Sequence, residues 1–216
     1  MRIFGLFLIF SLLLRNPLVA LLIIILIFVF LDRSFIGILP DFMAPLRRRR
    51  NMAELQRQIK VNPHNANAQL ELGEIHFLSG QYKQAVEYLE KALVKMDDSA
   101  LARFYLGAAL FNLGQREESL QQLQEAIRLN PKIAHGYPYL YLVKHEYSRE
   151  LIDNLLRYGA VKTFFDAGKY FKQTGNQPEA NRFFDEVLDA YRLSSPRMRR
   201  QFRNMAIYAR LFGKTK

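Results

Sequence analysis

Hydrophobic and polar positions follow two regimes along this chain. From Ile3 to Leu31 almost every residue is apolar, broken only by Arg15, Asn16 and Pro17, with Ser11 alone in the first half. From about residue 51 onward, apolar residues recur three and four positions apart between polar ones, the spacing of helices with one buried face. Asn65–Ser79 carries Leu70, Leu72, Ile75, Phe77 and Leu78 as such a stripe, and Gly80-Gln81 makes a turn. Lys83–Met96 returns with Ala85, Val86, Leu89, Ala92 and Leu93 on one face. The scheme then repeats in Ser99–Leu113, a turn at Gly114-Gln115, and Arg116–Asn130.

The repetition has a fixed period. Gln58–Pro63 (QIKVNP) and Ala126–Pro131 (AIRLNP) are nearly the same string. Their prolines stand 68 residues apart, two periods of 34, while Gly73 and Gly107, like Ala92 and Ala126, are one period apart. A period of this length predicts stacked helix pairs, each burying its face against its neighbours. Small residues at fixed places let paired helices approach closely, where a large side chain would hold them apart.

These residues resemble the tetratricopeptide repeat family. Leu72-Gly73, Gly80, Tyr82, Ala85, Leu89 and Ala92 fit its pattern in one unit, with Asp97 where the closing proline is usual. Leu106-Gly107, Gly114, Leu123, Ala126 and Pro131 fit it in the next, with Arg116 and Ser119 replacing the aromatic and the first alanine. A last unit has Gly168, Phe171, Gly175, Ala180 and Phe184 in register. The tryptophan often found early in the first helix is absent throughout. The resemblance implies an all-α, right-handed α-solenoid of tetratricopeptide-type helix pairs; the residues outside it read as an N-terminal transmembrane segment before it and a C-terminal capping helix after it. The units are expected at about 66–99, 100–133, 134–160 and 161–194. The third is degenerate and seven residues short, either bending the array or breaking it into two blocks. Residues 46–63 are expected to form a basic flank and an N-capping helix. Pro196–Phe212 has Met198, Phe202, Met205, Ala209 and Phe212 on one face and Arg199, Arg200, Arg203 and Arg210 on the other. That suits a cap, a helix on anionic lipid or an acidic partner, or both.

The resemblance also implies function. In the family the first helix of each pair lines a concave groove that binds extended peptides or helices. By position this points to Leu70, Glu74 and Phe77, then Phe104, Ala108 and Phe111, then Phe165, Lys169 and Lys172, although each phenylalanine is equally suited to ordinary core. Such a groove is apolar in front and basic behind, and fits an acidic peptide with apolar anchors. The basic, asparagine-rich clamp of chaperone-tail-binding members is missing: Asn67, Leu70 and Glu74 do not supply one.

Residues 1–45 read as a membrane segment. Leu18–Leu31 has no charge, but alone reaches only about 21 Å of a ~30 Å hydrocarbon core. Started by the Asn16-Pro17 cap and extended to residue 39, the helix reaches the required length. Ile3–Leu14 can lie in the interface, re-enter, or form the first leg of a hairpin. A buried globular helix and a cleaved signal peptide are the alternatives. The first has nothing to cover it, and the second lacks a cleavage site after its overlong apolar run. Arg47, Arg48, Arg49 and Arg50 follow at once, where they would meet lipid headgroups and hold this side cytoplasmic. The expected setting is a bacterial-type inner membrane, single-pass or hairpin-anchored, with the repeats in the cytoplasm.

Charge and chemistry refine the picture. The net charge is +11. Residues 61–131 carry 6 basic and 9 acidic side chains, and residues 132–216 carry 16 and 8. The units that fit the pattern best are thus acidic, so no nucleic-acid partner is expected. The chain has no cysteine, which removes disulfides and thiolate sites. His64, His76, His135 and His145 lack metal-ligand spacing. No catalytic, metal or cofactor site and no small-molecule substrate is expected, and the chain reads as no enzyme. The function that follows is a membrane-anchored scaffold that binds a protein partner in its groove. The alternative is an assembly subunit of a larger membrane complex, held there by transmembrane-helix packing.

Overall fold

The computed structural model describes residues 17–31 and 44–213. The described residues fall into two units: residues 17–31 with 195–201, and residues 44–194 with 202–213. In the first lies α1 (Pro17–Leu31), 15 residues long. At 1.5 Å per residue it extends about 22 Å. Among the described residues no helix is long and apolar enough to cross a membrane. Of the expected transmembrane helix, Pro17–Leu31 is described as helical. Its continuation to residue 39 and the hairpin leg at residues 3–14 lie outside the described residues.

The second unit is helical, with no strand among the described residues. Its elements are α2 (Ala44–Val61), α3 (Ala66–Leu78), α4 (Tyr82–Leu93), α5 (Ala100–Leu113), α6 (Arg116–Leu129), α7 (Tyr137–His145), α8 (Arg149–Tyr158), α9 (Val161–Gln173) and α10 (Gln177–Leu193). Residues 202–212 belong to α11 (Pro196–Phe212). Each helix packs on the next in sequence within the pairs α3/α4, α5/α6, α7/α8 and α9/α10, and the first helices of successive pairs also touch.

Local signals set the ends. Asn65, Ser99 and Asn176 cap α3, α5 and α10, their side chains accepting the backbone N–H of Ala68, Ala102 and Glu179, each replacing a bond the first helical turn lacks. At the opposite ends, Gly80, Gly114 and Gly175 take left-handed φ of 74°, 81° and 80°. The N–H of the next residue then reaches back to the helix, as Gln115 N to Leu110 O at 3.0 Å. This closes the helix with a reversal only glycine makes without strain.

Glycine has a second use within the pairs. A Cβ on Gly73 would stand 2.5 Å from Leu89 Cγ, and one on Gly107 2.8 Å from Leu123 Cγ and 3.1 Å from the Leu123 backbone nitrogen. On Gly168 it would stand 2.6 Å from Phe184 Cε1. In each pair one large side chain of the second helix fills the place of the missing Cβ. Leu89, Leu123 and Phe184 are fully buried as a result.

The third pair departs from the others. Its helices have 9 and 10 residues, against 14 and 14 in the pair before. The chain enters it through three consecutive left-handed residues, Ala134, His135 and Gly136, with φ of 48°, 52° and 81°. Two contacts hold this entry. The buried Thr163 hydroxyl donates to His135 O at 2.7 Å, and Gly136 abuts Gly159, whose Cα would be 2.7 Å from any Cβ there. The shortened pair packs on the pairs before and after it.

At the front, α2 is a single 18-residue helix. Arg47–Arg50 lie within its first half rather than in a separate flank before it. Its Leu55, with Met52 and Ile59 beside it, packs on Ala68 and Leu72 of α3. At the rear α11 packs through part of the expected face, Met205 and Ala209, joined by Ala206 and Tyr208. Ala206 and Ala209 are buried, and Tyr208 meets Phe165 at 5.2 Å and Phe184 at 5.8 Å between ring centroids. Phe212 and Met198 are exposed.

Candidate functional site

The first helices α3, α5, α7 and α9 build one continuous face, and aromatic rings form its spine. Phe77 on α3 meets Tyr105 on α5, with centroids 5.5 Å apart. Phe111 on α5 stands edge-on to Tyr141 of α7 at 5.3 Å and to His145 at 4.9 Å. Phe104 lies beneath, touching Tyr105, Tyr137 and Tyr141. Such offset and edge-on pairs add about 0.5–1.5 kcal/mol each beyond the area they bury, so the spine joins neighbouring pairs while leaving several rings part-exposed.

Polar contacts bridge the same junctions. The Tyr105 hydroxyl donates to Glu74 Oε1 at 2.7 Å, tying α5 to α3. The Tyr137 hydroxyl donates to Asp166 Oδ2 at 2.6 Å, tying α7 to α9. Burial first, then the adjacent carboxylate, pushes both phenols above their ordinary range, so each remains a donor at neutral pH. Behind the spine, Ser119 replaces the alanine of the other unit. Its buried hydroxyl donates to Gly107 O at 2.8 Å and lies 3.0 Å from His145 Nε2. Since the hydroxyl proton goes to Gly107, the Nε2–H of His145 is the donor in the second bond. One polar chain thereby links α5, α6 and α7. Burial, and then nearby Arg116, push His145 below its ordinary value.

The expected groove residues divide between three situations. Leu70, Glu74, Phe77 and Phe111 are part-buried on the shared face. Phe104 and Ala108 are buried, at 4% and 0% exposure, and belong to the core between α5, α6 and α7. They support the face without reaching a ligand, because α7 and its tyrosines cover them. Phe165 and Lys172 turn toward α11: Phe165 packs on Tyr208, and the Lys172 ammonium lies 3.8 Å from the Phe212 ring centroid. Lys169 stays on the shared face, over the Phe165 ring at 5.5 Å. Arg47, Arg48, Arg49 and Arg50 are exposed on α2. Sequence reasoning missed Tyr105, Lys144, Asp166 and Tyr170 as members of this face. The signal was present in the spacing Tyr137, Tyr141, Lys144 and in Asp166, Lys169, Gln173, each set stepping by three and four.

Among the described residues no group of three His, Cys, Asp or Glu converges as a metal site. What this face offers is area, rings and a few fixed charges. The fold and this face define a class: a helical-hairpin solenoid whose first helices form a continuous surface.

Comparison with known proteins sharpens the class. Residues 52–132 match a family model described as anaphase-promoting complex, cyclosome, subunit 3. A TPR repeat-containing protein of Pseudomonas aeruginosa is 38% identical over 55 residues, 26% of this chain and 52% of that protein. The chain thus spans about half the length of the curated relative it matches. A solved thermophilic TPR protein of Thermus thermophilus superposes with a TM-score of 0.60 at 17% identity, over 78% of this chain and 93% of that one. The pilF protein of Pseudomonas aeruginosa gives 0.52 at 18% identity, over 81% and 88%. MamA gives 0.50 at 24% identity, over 70% and 95%. At such identities the likeness is one of fold. The repeat region is similar to tetratricopeptide repeat proteins in sequence and in fold.

Proposed function

We propose that this protein is a membrane-anchored adaptor that holds a protein partner against the face formed by α3, α5, α7 and α9, as an extended peptide or a helix. The observation that carries this reading is the part-exposed aromatic spine from Phe77 through Tyr105 and Phe111 to Tyr141. Exposed rings held rigid by their neighbours are the usual anchors of protein interfaces, because they bury large area at little entropic cost.

The anchor is supported by α1, a sequence of apolar residues throughout. Leu22, Ile25 and Leu26 are 59%, 53% and 58% exposed, a surface that favours lipid over water. Continuation of that helix beyond Leu31 would supply the length that 15 residues lack. Arg47–Arg50 would then lie at the anionic headgroups and keep the repeats on the cytoplasmic side of a bacterial-type inner membrane. Confinement to the bilayer raises the local concentration of a partner there, so a modest intrinsic affinity suffices.

Crosslinking in membranes followed by detergent extraction tests the proposal. Partner recovered with wild type should be lost with Phe111→Ala/Tyr141→Ala, while helicity by circular dichroism is kept. Undiminished recovery would sink the groove reading. Exposure of α1 also suits the second reading, a subunit held in a larger membrane complex. In that case crosslinks would run from α1 at fixed stoichiometry and be indifferent to Phe111 and Tyr141.

A further inference from the structure

The rear of the first-helix face holds two lysines, Lys144 and Lys169, and a single carboxylate, Asp166. Tyr137, Tyr141 and Lys144 on α7 and Asp166, Lys169 and Gln173 on α9 line a shared cleft of about 250 Å³, room for one or two side chains. The carboxylate in it is already engaged. Asp166 accepts from Tyr137 at 2.6 Å and pairs with Lys162 at 3.8 Å. Lys144 and Lys169 form no ion pair with any described residue. The Lys144 ammonium instead sits over the rings of Tyr141 and Tyr170, 4.8 and 5.6 Å from their centroids. Desolvation there lowers its pKa, and Asp166 only partly opposes this. Ring faces compensate a half-buried ammonium weakly, whereas a carboxylate hydrogen-bonded to it both pairs the charge and replaces its lost water.

We propose that this cleft is a carboxylate pocket. It receives an aspartate or glutamate side chain of an extended partner peptide between Lys144 and Lys169, while an apolar residue of the same peptide rests on the spine at Tyr105 and Phe111. This rests on the groove reading above and adds the sequence chemistry of what the groove takes. Geometry sets the register. Packed helices lie about 8–10 Å apart, and a polyproline II segment returns to the same face every three residues, roughly 9 Å along. From α5 to the middle of the α7/α9 cleft is one and a half such spacings, about 12–15 Å, so the carboxylate stands about four or five residues from the apolar anchor. A nucleic-acid backbone fits less well, because Asp166 lines the same cleft and opposes a continuous run of negative charge. A single carboxylate can enter at the lysine end.

Panning the full-length protein in detergent micelles against displayed random peptides tests this. Wild type should enrich peptides with Asp or Glu about four or five residues from Leu, Ile or Phe. K144Q/K169Q should lose the acidic preference about tenfold or more and keep the apolar one, and K144R/K169R should retain both. Enrichment of apolar peptides without an acid, or the same acidic preference in K144Q/K169Q, would overturn the pocket and leave the groove standing. No enrichment by wild type would overturn both. Binding of single-stranded oligothymidine that K144Q/K169Q abolishes would overturn the pocket in favour of a nucleic-acid ligand.

Discussion

At the scale of single residues, two positions show how close packing and one hydroxyl hold the stack. Gly107 faces Leu123 so closely that a β-carbon would meet both its side chain and its backbone. The side chain can give way and the backbone cannot. Gly107→Leu should therefore destabilise the fold by about 1–3 kcal/mol or more, read as a lower urea midpoint by circular dichroism. Ser119 and His145 make a different prediction. With its pKa depressed in the fold, His145 binds fewer protons folded than unfolded. Its contribution is present above the ordinary value of 6.5 and is lost as pH falls below it. Unfolding free energy should drop between about pH 7 and 5.5, and His145→Gln should flatten that drop; an unchanged slope would assign it to other groups. The glycine was legible in the sequence, because recurrence at 34 residues has few other causes. The histidine's role was not. Its hydroxyl partner lies 26 residues away on another helix, and replacement of an alanine by Ser119 reads, without coordinates, as mere drift.

At the scale of elements, the clipped third pair is the informative part. Its short length in the sequence announced a degenerate unit, but no pattern indicated how the chain would enter it. The left-handed run depends on contacts from Gly159 and Thr163, which come later in the chain and join only in three dimensions. This makes a contrast testable by thermal unfolding. Gly136→Ala should cost about 2–4 kcal/mol, since a left-handed backbone and a collision with Gly159 act together. His135→Gly should be near neutral, because relief of left-handed strain offsets the added entropy of glycine. Equal losses would mean that the turn is not held as described. The α11 cap teaches a similar lesson. Its amphipathic pattern was plain, and Met205 and Ala209 do face the core, but Tyr208 joins them against Phe165 and Phe184 while Met198 and Phe212 stay exposed. Periodicity reports that a face exists; the neighbouring surface decides which of its residues are covered.

At the scale of the whole molecule, the legible features were the repeat architecture and the division of charge. The candidate face was legible only in part. Period and family pattern pointed to Leu70, Glu74, Phe77 and Phe111, but also to Phe104 and Ala108, which the short α7 covers. Register counting assumes equal units, and the third unit is unequal. Charge leads to a prediction about placement. If Arg47–Arg50 sit at the cytoplasmic headgroups, replacing all four with Gln should change the protease-protection pattern of the repeats in sealed membranes. An unaltered pattern would remove these arginines as the determinant of orientation. The half-desolvated ammonium of Lys144 also gives this protein a built-in gauge. A lowered pKa leaves more of the amine free to attack an acylating reagent at neutral pH. Mild labelling followed by mass spectrometry would therefore read cleft occupancy in intact cells, with the signal at this one lysine fading as a ligand restores its charge.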